Sequence, residues 1–161
     1  MNKKHTNNFL FHILLAILVV ILIIVSFYMF NVHIPYYNQE TKLATIRNEI
    51  VEKNNYQYDG YCYEYHGKNT YYILKIKVND VMNYVAFDTK KKYVNSFTAV
   101  PANKKAVINA IKKRFNITLS NMDIGYENDM FVYYAKYQDD THLYYFYYSL
   151  TDGSFIKYYR L

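Results

Sequence analysis

The sequence predicts an α+β protein: a membrane-spanning helix, then two copies of a unit in which one helix lies on an antiparallel sheet. Three observations predict it. A run of 22 residues without formal charge stands near the N-terminus. The remainder alternates apolar and polar residues with period two between turn-forming clusters, the pattern of half-buried strands. And the two halves of that remainder match one another at a shift of 62 residues.

The first eight residues form a short tail (1–8) carrying Lys3 and Lys4. Residues 9–30, "FLFHILLAILVVILIIVSFYMF", follow. At ~1.5 Å per residue they make ~33 Å of helix, enough for a hydrocarbon core of ~30 Å. His12 lies one turn from the entry edge, and Tyr28 and Phe30 mark the exit edge, where aromatic rings are favoured. The run is too long for the apolar core of a signal peptide, and "SFYMFNVHI" after it offers no small-residue cleavage site. The expectation is a retained single-pass anchor meeting membrane lipid through residues 9–30. Lys3 and Lys4 precede the helix and no Lys or Arg follows until Lys42. The positive-inside rule then puts the tail in the cytoplasm and the rest outside the cell.

The outer part divides into residues 31–98 and 99–161. "FDTKKKYV" (87–94) falls on "SLTDGSFI" (149–156), with Thr89 on Thr151. The same shift carries Asn79-Asp80 onto Thr141-His142, the turn at 66–69 onto 128–131, and 41–53 onto 103–115. A period of this size means two copies of one supersecondary unit. Each copy opens with a helix. "PANKKAVINAIKKRF" sets Val107, Ile108, Ile111 and Phe115 on one face against Lys104, Lys105, Asn109, Lys112 and Lys113. Pro101 suits a first helical turn. In the first copy "ETKLATIRNEIVEK" supplies Leu43, Ile46 and Ile50. Strands follow each helix: "YYILKIKV" and "FVYYAKYQ" both alternate, each with one wetter face. Neither copy, at roughly 60 residues, is large enough to be stable with ease alone, so the two are expected to pack together or share a sheet.

Composition narrows the function. The chain has 22 Tyr and no Trp, and a single cysteine, Cys62, so no intramolecular disulfide can form. Cys62 suits a half-buried strand position. No metalloprotease, serine-hydrolase or phosphate-loop motif is present, and the chain's four glycines leave little material for a phosphate loop. Asp139, Asp140 and His142 fit a solvated turn better than a metal site. The expectation is therefore no enzyme, no cofactor and no metal. Lys90–Lys92 and the Lys104, Lys105, Lys112, Lys113, Arg114 group are basic clusters. They suit a solvated face, or a surface for an anionic polymer, lipid headgroups or an acidic partner protein; outside the cell, nucleic acid is not an expected partner.

In "LYYFYYSL" (143–150), Tyr144, Phe146, Tyr148 and Leu150 make the more apolar face and should meet the helix. Tyr145 and Tyr147, with Tyr134 on the neighbouring strand, are left on the outer face. Such a ladder is either a plain sheet surface or an interface. The candidate interaction residues are Tyr134, Tyr145, Tyr147, Lys112, Lys113 and Arg114.

The strand, Thr-containing turn and short apolar strand of "YYFYYSLTDGSFIKYY" resemble a PepSY unit, a cystatin-like fold. Tail, single membrane helix and two tandem units together resemble the YpmB/TseB family of Gram-positive bacteria. The first copy departs at its turn, with Lys90-Lys91-Lys92 where the second has Asp152-Gly153-Ser154. The resemblance implies two cystatin-like units and a non-enzymatic regulator of cell-wall elongation acting on a penicillin-binding protein. It also implies, as an alternative, an inhibitor- or propeptide-like regulator of a secreted peptidase; the basic clusters leave a binder of anionic wall polymer as a further alternative.

Overall fold

A computed structural model describes residues 3–161, with side chains from Phe11 onward. The side chains of Lys3 and Lys4, on which the orientation rests, lie outside the described residues. Helix α1 (Lys3–Tyr28) is followed by a π-helical turn (Met29–His33) and helix α2 (Ile34–Asn54). The wider turn falls just before Pro35, whose missing N–H and bulky ring cannot be accommodated in an unbroken α ladder. One helical stretch near the N-terminus is long and apolar enough to cross a membrane. Two compact units result, one ending at Ala44 and one spanning Thr45–Leu161.

Within the second unit lie two four-stranded antiparallel sheets. The first orders β1 (Gln57–His66), β2 (Thr70–Val78), β3 (Val81–Phe87) and β4 (Tyr93–Phe97) as a meander. Helix α3 (Lys104–Phe115) follows. The second sheet repeats the meander with β5 (Asp123–Glu127), β6 (Met130–Gln138), β7 (Leu143–Ser149) and β8 (Phe155–Arg160). The 62-residue shift carries β3 onto β7 residue for residue, and places Tyr93 on Phe155 at the start of β4 and β8.

Turn chemistry sets the hairpins. Asn79-Asp80 and Asn128-Asp129 both adopt positive φ (49° and 62°; 48° and 62°), the paired left-handed geometry of a two-residue hairpin loop. The β3–β4 and β7–β8 turns also match. Lys91 has φ 60° where Gly153, 62 residues on, has φ 72°. The triple-lysine turn of the first copy thus keeps the backbone of its counterpart despite different residues. Asp88 supports it by accepting the Lys90 and Lys92 N–H groups, each at 2.8 Å.

Ile46 and Ile50 of α2 are buried, as are Tyr72, Leu74, Ile76, Val85 and Phe87 on one face of the first sheet. α3 buries Val107 and Ile111, and Phe115 meets Phe146 at 5.0 Å between ring centroids. Asn103 caps α3, its side chain accepting from the Lys105 and Ala106 N–H groups, and Asn116 closes it at φ 56°. Pro101, expected in the first turn, stands two residues before that cap. Tyr148, Phe146 and Leu150 are buried with α3, as the alternation of β7 predicted.

The wetter faces behave differently from expectation. Ile73 and Ala86 of the first sheet and Val132 and Tyr134 of the second are buried in one shared cluster. The two sheets pack these faces together over part of their length, so Ile73, Val132 and Tyr134 are covered on the side that looked wet, while Lys136 and Gln138 stay exposed.

Candidate functional site

Tyr65 is the knob of that packing. It is fully buried, and its ring meets Tyr134 edge-on at 5.3 Å and 85°. Two glycines make room for it: a Cβ on Gly125 would stand 2.5 Å from ring carbons Cδ2 and Cε2, and one on Gly67 would stand 2.6 Å from Cε1 and Oη. The Tyr65 hydroxyl donates to Glu127 Oε2 at 2.7 Å. Lys157 Nζ donates to the other oxygen of Glu127. Around Tyr65, the Tyr61 hydroxyl accepts the Ile124 N–H at 2.8 Å, and Tyr71 meets Tyr126 edge-on at 5.1 Å. Burial raises the pKa of Tyr61, Tyr63, Tyr65 and Tyr134, that of Tyr63 to about 12; the Glu127 carboxylate adds to the effect at Tyr65.

Beside this seam an open groove of about 880 Å³ runs across β6, β7 and β8. Two cross-strand rungs form its floor: Tyr134–Tyr147–Lys157 and Lys136–Tyr145–Tyr159. The turn at His66, Gly67 and Lys68 and the loop residue Asn128 contribute to its rim. Tyr134 and Tyr145 stack at 6.1 Å and 22°. Lys157 Nζ lies 4.6 Å from the Tyr147 ring centroid and 5.0 Å from that of Tyr159. Burial works against the Lys157 charge, but the bonds to Glu127 and Tyr159 outweigh it and its pKa is raised.

All three sequence-predicted tyrosines line this one groove, but not all are open to solvent. Tyr134 and Tyr147 were expected on an outer face; they are buried, at 9 % and 6 % exposure, because Tyr65 and its neighbours cover them. Tyr145 is half-buried and Tyr159 exposed. Lys112, Lys113 and Arg114 are exposed on α3, against the opposite face of the second sheet, and take no part in the groove. Lys136, Lys157, Tyr159 and Glu127 were not singled out from the sequence. The alternation of "FIKYYR" in β8 puts Lys157 and Tyr159 on one face, and their pairing with Tyr147 and Tyr145 was the available signal.

A small-residue gap, a bulky tyrosine knob and two repeated meanders define the module's architecture. It is similar to YpmB. The solved structure of the YpmB protein from Bacillus subtilis superposes with a TM-score of 0.51 and 20% sequence identity, over 63% of this chain and 83% of that chain. The likeness to YpmB is one of fold; this chain's own elements are an apolar N-terminal helix, then two four-stranded antiparallel sheets, in the α+β arrangement expected from the sequence. At that identity YpmB carries no groove residue across. No family model and no curated protein matches the chain.

Proposed function

We propose that this chain is a non-enzymatic adaptor, anchored in the cell membrane by its apolar helix with the two-sheet module outside. In this reading it binds and regulates a cell-wall synthase of the penicillin-binding class, and the partner docks in the Tyr145–Tyr159 groove. The observation that supports the reading is the rung Lys136–Tyr145–Tyr159 beside the Lys157–Glu127 pair. Rings that are partly covered, rigidly stacked and flanked by polar groups are the usual anchors of protein interfaces. A tether would hold such a surface at the membrane, raising its effective concentration against any membrane-bound partner.

The test is site-specific photocrosslinking in intact cells from position 145, followed by detection of captured proteins with a fluorescent penicillin. A penicillin-reactive adduct that disappears in Tyr159→Ala with Lys136→Glu supports the reading. Adducts lacking penicillin reactivity, with a peptidase captured in their place, would count for the inhibitor-like alternative. A cytoplasm-only reporter active at Leu161 would overturn the orientation.

A further inference from the structure

We infer that the exposed face of α3 is a docking surface for anionic lipid headgroups. The inference rests on the anchor reading above but concerns a different surface from the groove. α3 carries Lys104, Lys105, Lys112, Lys113 and Arg114 and no acidic residue. Its counterpart in the first copy, residues 41–53, carries Lys42, Arg47 and Lys53 balanced by Glu49 and Glu52. One fold therefore tolerates a nearly neutral helix at this place, and the charge of α3 is not a demand of the architecture.

Helix stability does not explain it either. Lys112, Lys113 and Arg114 sit in the last turn, where cations suit the helix dipole. Lys104 and Lys105 sit in the first turn, where the dipole disfavours them and acids are absent. Elsewhere in the module four lysines find carboxylates, Lys75 with Asp59, Lys77 with Asp80, Lys91 with Glu49 and Lys157 with Glu127, while Lys68, Lys90, Lys92 and Lys136 stand singly and are not gathered on one helix. Among the described residues none of the five α3 cations makes an ion pair; Asp123 and Lys104 attract each other at longer range. Arg114 is held in place, its guanidinium carbon 4.0 Å from the centroid of Phe155, which fixes the cation at the edge of the face.

Lys105, Lys112 and Lys113, exposed and without an ion pair at the two ends of α3, make a spread of cations that fits a plane of phosphates rather than one compact anion. Since the same chain carries a helix apolar enough to span a bilayer, an anionic membrane surface is the polyanion to which this chain would be tethered.

The experiment uses the full chain in vesicles of phosphatidylcholine alone or of phosphatidylcholine with phosphatidylglycerol. Amine acylation is followed residue by residue by mass spectrometry. Lys105, Lys112 and Lys113 should acylate several-fold more slowly in the phosphatidylglycerol vesicles, and high salt should abolish the difference. Lys136 and Lys68 serve as internal references and should not change. In Lys112→Glu with Lys113→Glu, protection of Lys105 should be lost. Equal acylation in both vesicles overturns the inference. Protection produced only by adding soluble glycerol-phosphate polymer also overturns it and assigns the face to a free polyanion. Chain extracted from the vesicles by alkaline carbonate overturns the anchor reading and this inference with it; chain that stays inserted but unprotected overturns this inference alone.

Discussion

Tyr65 and Glu127 stand 62 residues apart, the period of the internal repeat, and are joined by a hydrogen bond of 2.7 Å. Positions that correspond in the two copies thus touch across the seam between the sheets. The bond also reaches the groove, because the same carboxylate holds Lys157.

Removing the knob should undo the pairing. Tyr65→Ala takes out a fully buried ring and is expected to cost about 3–5 kcal/mol, a large part of a total stability of about 5–15 kcal/mol. Tyr65→Phe keeps the ring and loses only the bond to a charged acceptor, at about 1.5–3 kcal/mol. Chemical denaturation of both variants checks the order; a Tyr65→Ala variant as stable as wild type would mean that the seam is not a packed core.

Gly125 should behave as the socket of that knob. Gly125→Ala puts a methyl 2.5 Å from Tyr65 ring carbons and is expected to cost about 1–3 kcal/mol by overpacking. Adding Tyr65→Ala should relieve the clash, so the double variant should lose less than the sum of the two single losses. Strict additivity in the denaturation midpoints would contradict direct contact.

The matched turns give a contrast within one molecule. Gly153 has φ 72°, and a Cβ there would come within 3.0 Å of Val107 Cγ2. Gly153→Ala should therefore destabilise by about 1–2 kcal/mol through left-handed strain and crowding. At Lys91 a side chain already occupies the same backbone geometry, and Lys91→Gly should relax about 1 kcal/mol of strain while losing the Glu49 pair, for a net change near zero. Thermal melts of the two variants, expected to shift unequally, test this.

Alkaline pH should open the seam. Burial raises the phenol pKa of Tyr61, Tyr63, Tyr65 and Tyr134 above the unfolded value of about 10. The folded state then holds protons that the unfolded chain releases. Stability is fully present below about pH 10 and falls as pH rises beyond it. Phenolate absorbance should show one group of tyrosines ionising together with loss of fold. A smooth titration of every tyrosine with the fold intact would mean that water reaches these rings.

Periodicity was enough to find the strands, the helix faces and the duplication, because each depends on neighbours in sequence. Tyr148 and Phe146 lie under α3 as the alternation of β7 required. Tyr134 and Tyr147 show where this stops. Alternation separates two faces of a strand, but only long-range packing decides whether the second face meets water or another sheet. The covering residue, Tyr65, lies on β1 and packs across the seam on the other copy's sheet, and nothing local marks Gly67 and Gly125 as its socket. The groove was half legible for the same reason. Its tyrosines could be picked from β6 and β7, while Lys157 and Tyr159 required knowing how β8 pairs.

The seam also has a schedule. The face that holds Tyr65 is synthesised before the residues that cover it, and Glu127 follows 62 positions later. At about 5–20 residues per second, a growing chain leaves that tyrosine-rich face bare for about 3–12 s. Nascent chains halted after β4 should therefore be captured by holdase chaperones, and chains halted beyond β8 should not; equal capture of both would show that the first sheet shields its own rings.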